Sequence, residues 1–267
     1  MADRRILWID GEPASTRDLA HQALVNYGAY TSFRVENGGA RGLDRHLSRL
    51  DASAVELFGE PVGEPRLREA LRQALGDRTE AWVRVSLFSP EISHREVEWR
   101  GRPKVMVGAF DPPAPLAESA RAQPQVHQRQ SPHLKHVATL ELIQARRAAR
   151  ASGFDDALFV DATGLISEGA LWNIGFVVGD QVIWPDAPML EGVTQALMDQ
   201  HLAVVGMTST IAPVRLPDLH RFDAAFLCNS ATPACAITAI GDHVFDARPD
   251  LIERLTTAWR AAALQPI

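Results

Sequence analysis

Apolar residues recur at helical spacing through residues 42–57, where Leu43, Leu47, Leu50, Ala54 and Leu57 share one helical face. A second helix is predicted from Pro65 to Leu75 and stops at Gly76. Strand-type patterns surround them. Residues 6–9 are apolar and run into the turn Asp10-Gly11-Glu12-Pro13. Residues 30–36 alternate polar and apolar and end at Asn37-Gly38-Gly39, and residues 82–88 and 104–110 read as two further strands. This half predicts helices packed on an antiparallel sheet.

A Pro/Ala-rich stretch follows, from Asp111-Pro112-Pro113-Ala114-Pro115 to Gln123-Pro124, and reads as a linker. Beyond it the pattern predicts a helix over 138–152 ended by Gly153, and a buried strand over 157–160. A strand over 171–178, a helix over 193–204 after Gly192, a strand over 224–228 and a terminal helix over 249–263 complete it. The expected fold class is α+β: a small N-terminal domain, 1–118, and a larger C-terminal domain, 119–267.

Composition changes this picture at one point. The 267 residues carry a net charge of -6, which offers no electrostatic footprint for nucleic acid or an anionic membrane surface. No signal peptide and no bilayer-spanning run is expected, and the two cysteines, Cys228 and Cys235, lack metal-type spacing. A cytoplasmic enzyme without a metal fits. Among 27 basic residues, however, only Lys104 and Lys135 are lysines. Arginine stays protonated, whereas a buried lysine can lose its proton and attack a carbonyl. Only these two side chains could therefore form a Schiff base. Lys104 follows Gly101-Arg102-Pro103 among charges and reads as a strand-end lysine. Lys135 lies in Ser131-Pro132-His133-Leu134-Lys135-His136-Val137, an extended approach to a helix between apolar neighbours.

Three further segments carry candidate chemistry. In Ile166-Ser167-Glu168-Gly169 a carboxylate sits among apolar residues and needs a cationic partner or a proton. Glu191-Gly192-Val193-Thr194 opens a helix, where free N–H groups suit a phosphate or a simple cap. Cys228-Asn229-Ser230-Ala231-Thr232-Pro233 is a small polar turn after a strand.

Taken in order, these blocks resemble the fold-type IV pyridoxal-phosphate (PLP) enzymes: branched-chain, D-amino-acid and (R)-amine aminotransferases and aminodeoxychorismate lyases. Asn26-Tyr27-Gly28-Ala29-Tyr30-Thr31-Ser32-Phe33 resembles the family's Tyr-Gly strand, and Arg45-His46-Leu47-Ser48-Arg49-Leu50 its His-x-x-Arg-Leu helix. The resemblance implies two mixed α/β domains with the cofactor between them. It implies Lys135 as Schiff-base lysine and proton shuttle, and Glu168 as partner of the pyridine nitrogen. Arg49, Val193, Thr194, Ser230 and Ala231 are implied at the phosphate and Tyr30 at the substrate pocket; Trp172 is a pocket candidate whose alternative is a core position.

Departures from the pattern bear on substrate. Ala29-Tyr30 replaces Asp-Gly, Leu171-Trp172 replaces small hydroxyl residues, and Gln195 stands where Arg is usual. Arg34, Arg84, Arg95 and Arg100 are the carboxylate-binding candidates. The implied reaction is transamination between an amino acid or amine and a keto acid or ketone. Elimination releasing pyruvate is the alternative, with Thr31, Ser32 or His136 as proton relay. The resemblance also implies a homodimer.

Overall fold

The computed structural model describes residues 7–114 and 117–267, so Ile6 and Pro115 of the segments above lie outside the described residues. Contacts divide the chain into two units. The first holds the chain up to Pro113 with Leu134–Ala138 and Leu264–Ile267, and the second holds Ala114–His133 and Thr139–Ala263.

The first unit begins with β1 (Leu7–Ile9), β2 (Glu12–Pro13) and α1 (Thr16–Leu24), whose Ser15 side chain caps the Asp18 N–H. Then come β3 (Ala29–Val35), β4 (Gly39–Arg41), α2 (Leu43–Phe58), α3 (Glu64–Leu75), β5 (Ala81–Phe88) and β6 (Lys104–Phe110). The sheet order is β2-β1-β6-β5-β3, antiparallel throughout. Leu43, Leu47, Leu50 and Ala54 of α2 are buried, as their spacing requires, and pack with Leu67 and Leu71 of α3 and with Val83, Val85 and Val105. Each such side chain contributes about 1.5–3 kcal/mol relative to exposure.

The second unit contains β7 (Ser119–Val126), α4 (Leu140–Ala151), β8 (Asp156–Val160), β9 (Ile166–Gly169), β10 (Asn173–Val178), β11 (Gln181–Pro185) and α5 (Val193–His201). After these follow β12 (Thr208–Ala212), β13 (Ala224–Cys228), β14 (Cys235–Ile240), β15 (His243–Val244) and α6 (Pro249–Arg260). The strands run β12-β11-β10-β13-β14-β7-β8-β9, and a β9–β10 pairing closes the inner six into a ring. Last, β16 (Leu264–Pro266) pairs with β4 of the first unit.

Two readings change. The linker stretch does not stay open: residues 119–126 form β7, parallel to both β14 and β8. Pro124 is tolerated there because pairing with β14 ends at Ala122, so the N–H that proline lacks is not required on that side. Second, the Lys135 segment does not travel with the sequence that follows it. Leu134–Ala138 belongs to the first unit, where the Tyr30 N–H donates to the Lys135 carbonyl at 2.8 Å and the Val137 N–H to the Gly28 carbonyl at 3.0 Å.

Candidate active site

In the first unit, strand alternation and the α2 face bring a set of polar groups together. Lys135 Nζ lies 5.0 Å from the centroid of the Tyr30 ring, and the Arg84 guanidinium lies 3.7 Å from the same centroid. Cations at such distances are attracted by the ring quadrupole. Thr31, the next residue of β3, points to α2. Its hydroxyl accepts from Arg49 NH2 at 3.1 Å and lies 2.7 Å from His46 Nδ1. Arginine only donates, so the Thr31 hydroxyl is an acceptor toward Arg49 and keeps its own proton and a second lone pair for the contact with His46. Burial pushes His46 well below the ordinary imidazole range, and the positive charges of Arg49 and Lys135 push the same way. Burial also lowers the Arg49 guanidinium to about 10, which leaves it charged at neutral pH, and lowers that of Arg84.

The other lysine is committed elsewhere. Lys104 Nζ sits 2.8 Å from Asp18 Oδ1, which holds the Asp18 carboxyl below its ordinary range. Of the carboxylate-binding candidates, Arg34 is half-exposed and pairs with Glu36, and Arg95 and Arg100 are exposed. Arg84 contacts Tyr30 and Ser86, and no carboxylate partner of it occurs among the described residues.

In the second unit Glu168 is 4 % exposed at the end of β9. Arg129, buried as well, places NH1 3.3 Å from Glu168 Oε1. Arg129 was not identified from sequence; an arginine between the predicted linker and the Lys135 segment gives no signal of a buried pair. The β9–β10 connection is a tight hairpin, with the Gly169 N–H donating to the Trp172 carbonyl at 2.8 Å. It sets Asn173 directly across from Glu168, and Asn173 also pairs with Cys228, the last residue of β13.

Helix α5 starts at Val193 after Gly192 with no side-chain cap and no acidic residue in its first turn. Its leading N–H groups and the positive end of its dipole are arranged for an anion. Val193 and Thr194 are buried there. The turn after β13 is closed by Asn229, whose side-chain oxygen accepts from the N–H groups of Ala231 at 3.0 Å and Thr232 at 2.9 Å. The Ala231 amide is thus engaged within the turn, which leaves Ser230 as its offering group. The Thr232 hydroxyl is buried and has no hydrogen-bond partner among the described residues.

A family model described as amino-transferase class IV matches residues 28–240. The chain belongs to this family. Its α+β architecture of two units is that of the fold-type IV PLP enzymes. The class IV chain is 23% identical to the branched-chain-amino-acid aminotransferase of Pseudomonas aeruginosa, over 97% of this chain and 93% of that one. It superposes on the branched-chain aminotransferase of Thermoproteus uzoniensis with a TM-score of 0.81 at 22% identity, covering 97% of this chain and 94% of the other. A Legionella pneumophila protein, provisionally named a 4-amino-4-deoxychorismate lyase, gives a TM-score of 0.79 at 23% identity, covering 88% and 91%.

One pocket expectation of the class IV pattern changes here. Trp172 packs into the core with Leu158, Ile166 and Ile174 and is 4 % exposed. Its ring fills the space a side chain at Gly169 would need, 2.0 Å from that Cβ position. Trp172 shapes the hairpin that carries Glu168 instead of lining a pocket.

Proposed function

We propose that this class IV enzyme is a PLP-dependent aminotransferase, moving an amino group between an amino acid or primary amine and a keto acid or ketone. The observation that carries the reading is the division between the two lysines. Lys104 is held by Asp18, whereas Lys135 stands over Tyr30 beside the arginine-rich face of β3, α2 and β5. The donor set fits the cofactor. The uncapped start of α5 and the buried Thr232 hydroxyl suit a phosphate dianion, and Glu168, paired with Arg129, suits a protonated ring nitrogen. On this reading Val193, Thr194, Ser230 and Arg49 would hold the phosphate, and Lys135 would be the covalent anchor.

Bound PLP supplies an electron sink for the charge left on the substrate Cα. Lys135 Nζ would be the base that takes the substrate Cα proton and the acid that gives it back. Tyr30 and Arg84 line the substrate side, and Arg84 receives the substrate carboxylate. We extend the reading to a cytoplasmic homodimer; a fully active monomer in sedimentation overturns the dimer.

The test is a half-reaction. Holoenzyme mixed with an amine donor and no acceptor converts stoichiometrically to the pyridoxamine form. An unchanged spectrum with every D- and L-amino acid and (R)- and (S)-amine overturns transamination. Elimination is the second reading, supported by the Thr31 hydroxyl and neutral His46 as a ready proton relay. It predicts pyruvate release from aminodeoxychorismate with the spectrum restored after each turnover.

A further inference from the structure

Gly192 raises a question that its backbone does not answer. Its φ of -73° and ψ of 133° are open to any residue, so the glycine is not there for conformational freedom. The reason is steric. A Cβ on Gly192 would lie 2.0 Å from Asn173 Oδ1 and 3.0 Å from Asn173 Cγ. The Asn173 side chain occupies that space because its Nδ2 donates to the Leu190 carbonyl at 2.8 Å. It is 6 % exposed.

Asn173 thereby meets three elements. Across one strand pair it faces Glu168, across the other Cys228 at the start of the Asn229–Thr232 turn, and its side chain grips the loop that leads into α5. Directly opposed residues of an antiparallel pair lie about 4.5–5.5 Å apart at Cβ. A displacement at Asn173 therefore reaches Glu168 and the α5 amides together.

We propose that Asn173 is a positioning residue that joins the strand carrying Glu168 to the anion-binding start of α5, with Gly192 kept side-chain-free to admit it. This rests on the reading that α5 receives the PLP phosphate. The joint sets the separation between the group facing the ring nitrogen and the amides facing the phosphate.

The test is a cycle of wild type, Gly192→Ala, Asn173→Ala and the double variant, each stripped of cofactor and titrated with PLP and with pyridoxal, which lacks the phosphate. Gly192→Ala should weaken PLP binding by about tenfold or more through overpacking. Asn173→Ala should cost about tenfold, in the range of lost supporting shells. In the Asn173→Ala background, adding Gly192→Ala should cost under about threefold, since the clash is gone. Pyridoxal affinity should change far less than PLP affinity in both single variants.

Additive losses, or equal losses for PLP and pyridoxal, overturn the assignment. Where Asn173→Ala does not fold, Asn173→Asp keeps the shape and turns the donor to Leu190 into an acceptor. It should lower the PLP-to-pyridoxal ratio, and an unchanged ratio overturns the joint. Wild-type protein that takes up no PLP overturns instead the reading on which the proposal stands.

Discussion

The two units carry opposite kinds of site. The first gathers side-chain cations, Lys135, Arg49 and Arg84, around Tyr30 and a neutral His46. The second contributes one buried anion, Glu168, clamped by Arg129, and otherwise main-chain amides at α5 and the turn after β13. Buried side-chain charges need partners and tune one another, so the first cluster is electrostatically coupled. Amides oriented by a helix end carry no titratable group, so the second depends on backbone placement. Loss of function should follow chemistry in the first unit and geometry in the second.

The largest expected effect breaks the first cluster outright. Lys135→Ala should lower the amine half-reaction by about 10³-fold or more and remove the visible band of the lysine-bound cofactor. Lys104→Ala should leave both near wild type, and a similar loss at the two lysines would erase the distinction between them. Next, Arg129→Leu should destabilise the protein by about 3 kcal/mol in urea unfolding, because it removes a buried cation paired with the Glu168 carboxylate. Pairing it with Glu168→Gln should recover much of that stability; no recovery would mean Arg129 acts by packing alone.

A smaller effect separates substrate binding from chemistry. Arg84→Leu should raise KM for carboxylate-bearing donors by about tenfold, near 1.4 kcal/mol, and leave simple amines unaffected. Equal losses for both donor classes would remove Arg84 from the substrate side. The smallest concerns pH. The folded pKa of His46 is depressed, so in the window below about 6.5 the unfolded chain binds the extra proton. Stability should therefore fall as pH drops below that value, by at most about 1.4 kcal/mol per pH unit. Melting curves of His46→Gln should show a shallower slope; an identical slope would place the acid sensitivity in other groups.

Much of the first unit was legible because its signals are local. The spacing of Leu43, Leu47, Leu50 and Ala54 and the alternation through Phe33 and Val35 anticipate α2 and β3, which bury those residues. The second unit was read less fully. Strand β7 hides under a proline-rich composition, since Pro124 is admissible only where the partner strand has already ended. Trp172 read as a pocket residue because sequence neighbours do not reveal which side of a hairpin is packed.

By itself the sequence determined that only two side chains could form an imine, and that carboxylate, helix-opening glycine and polar turn follow Lys135 in a class IV order. It could do so because residue identity and local spacing are one-dimensional properties. Only tertiary structure decided that Lys104 is held by Asp18, that Glu168 is clamped by Arg129, and that Gly192 is glycine on account of Asn173. Those are contacts between residues 86, 39 and 19 positions apart in the chain. Their cause is the close packing of elements that no local pattern encodes.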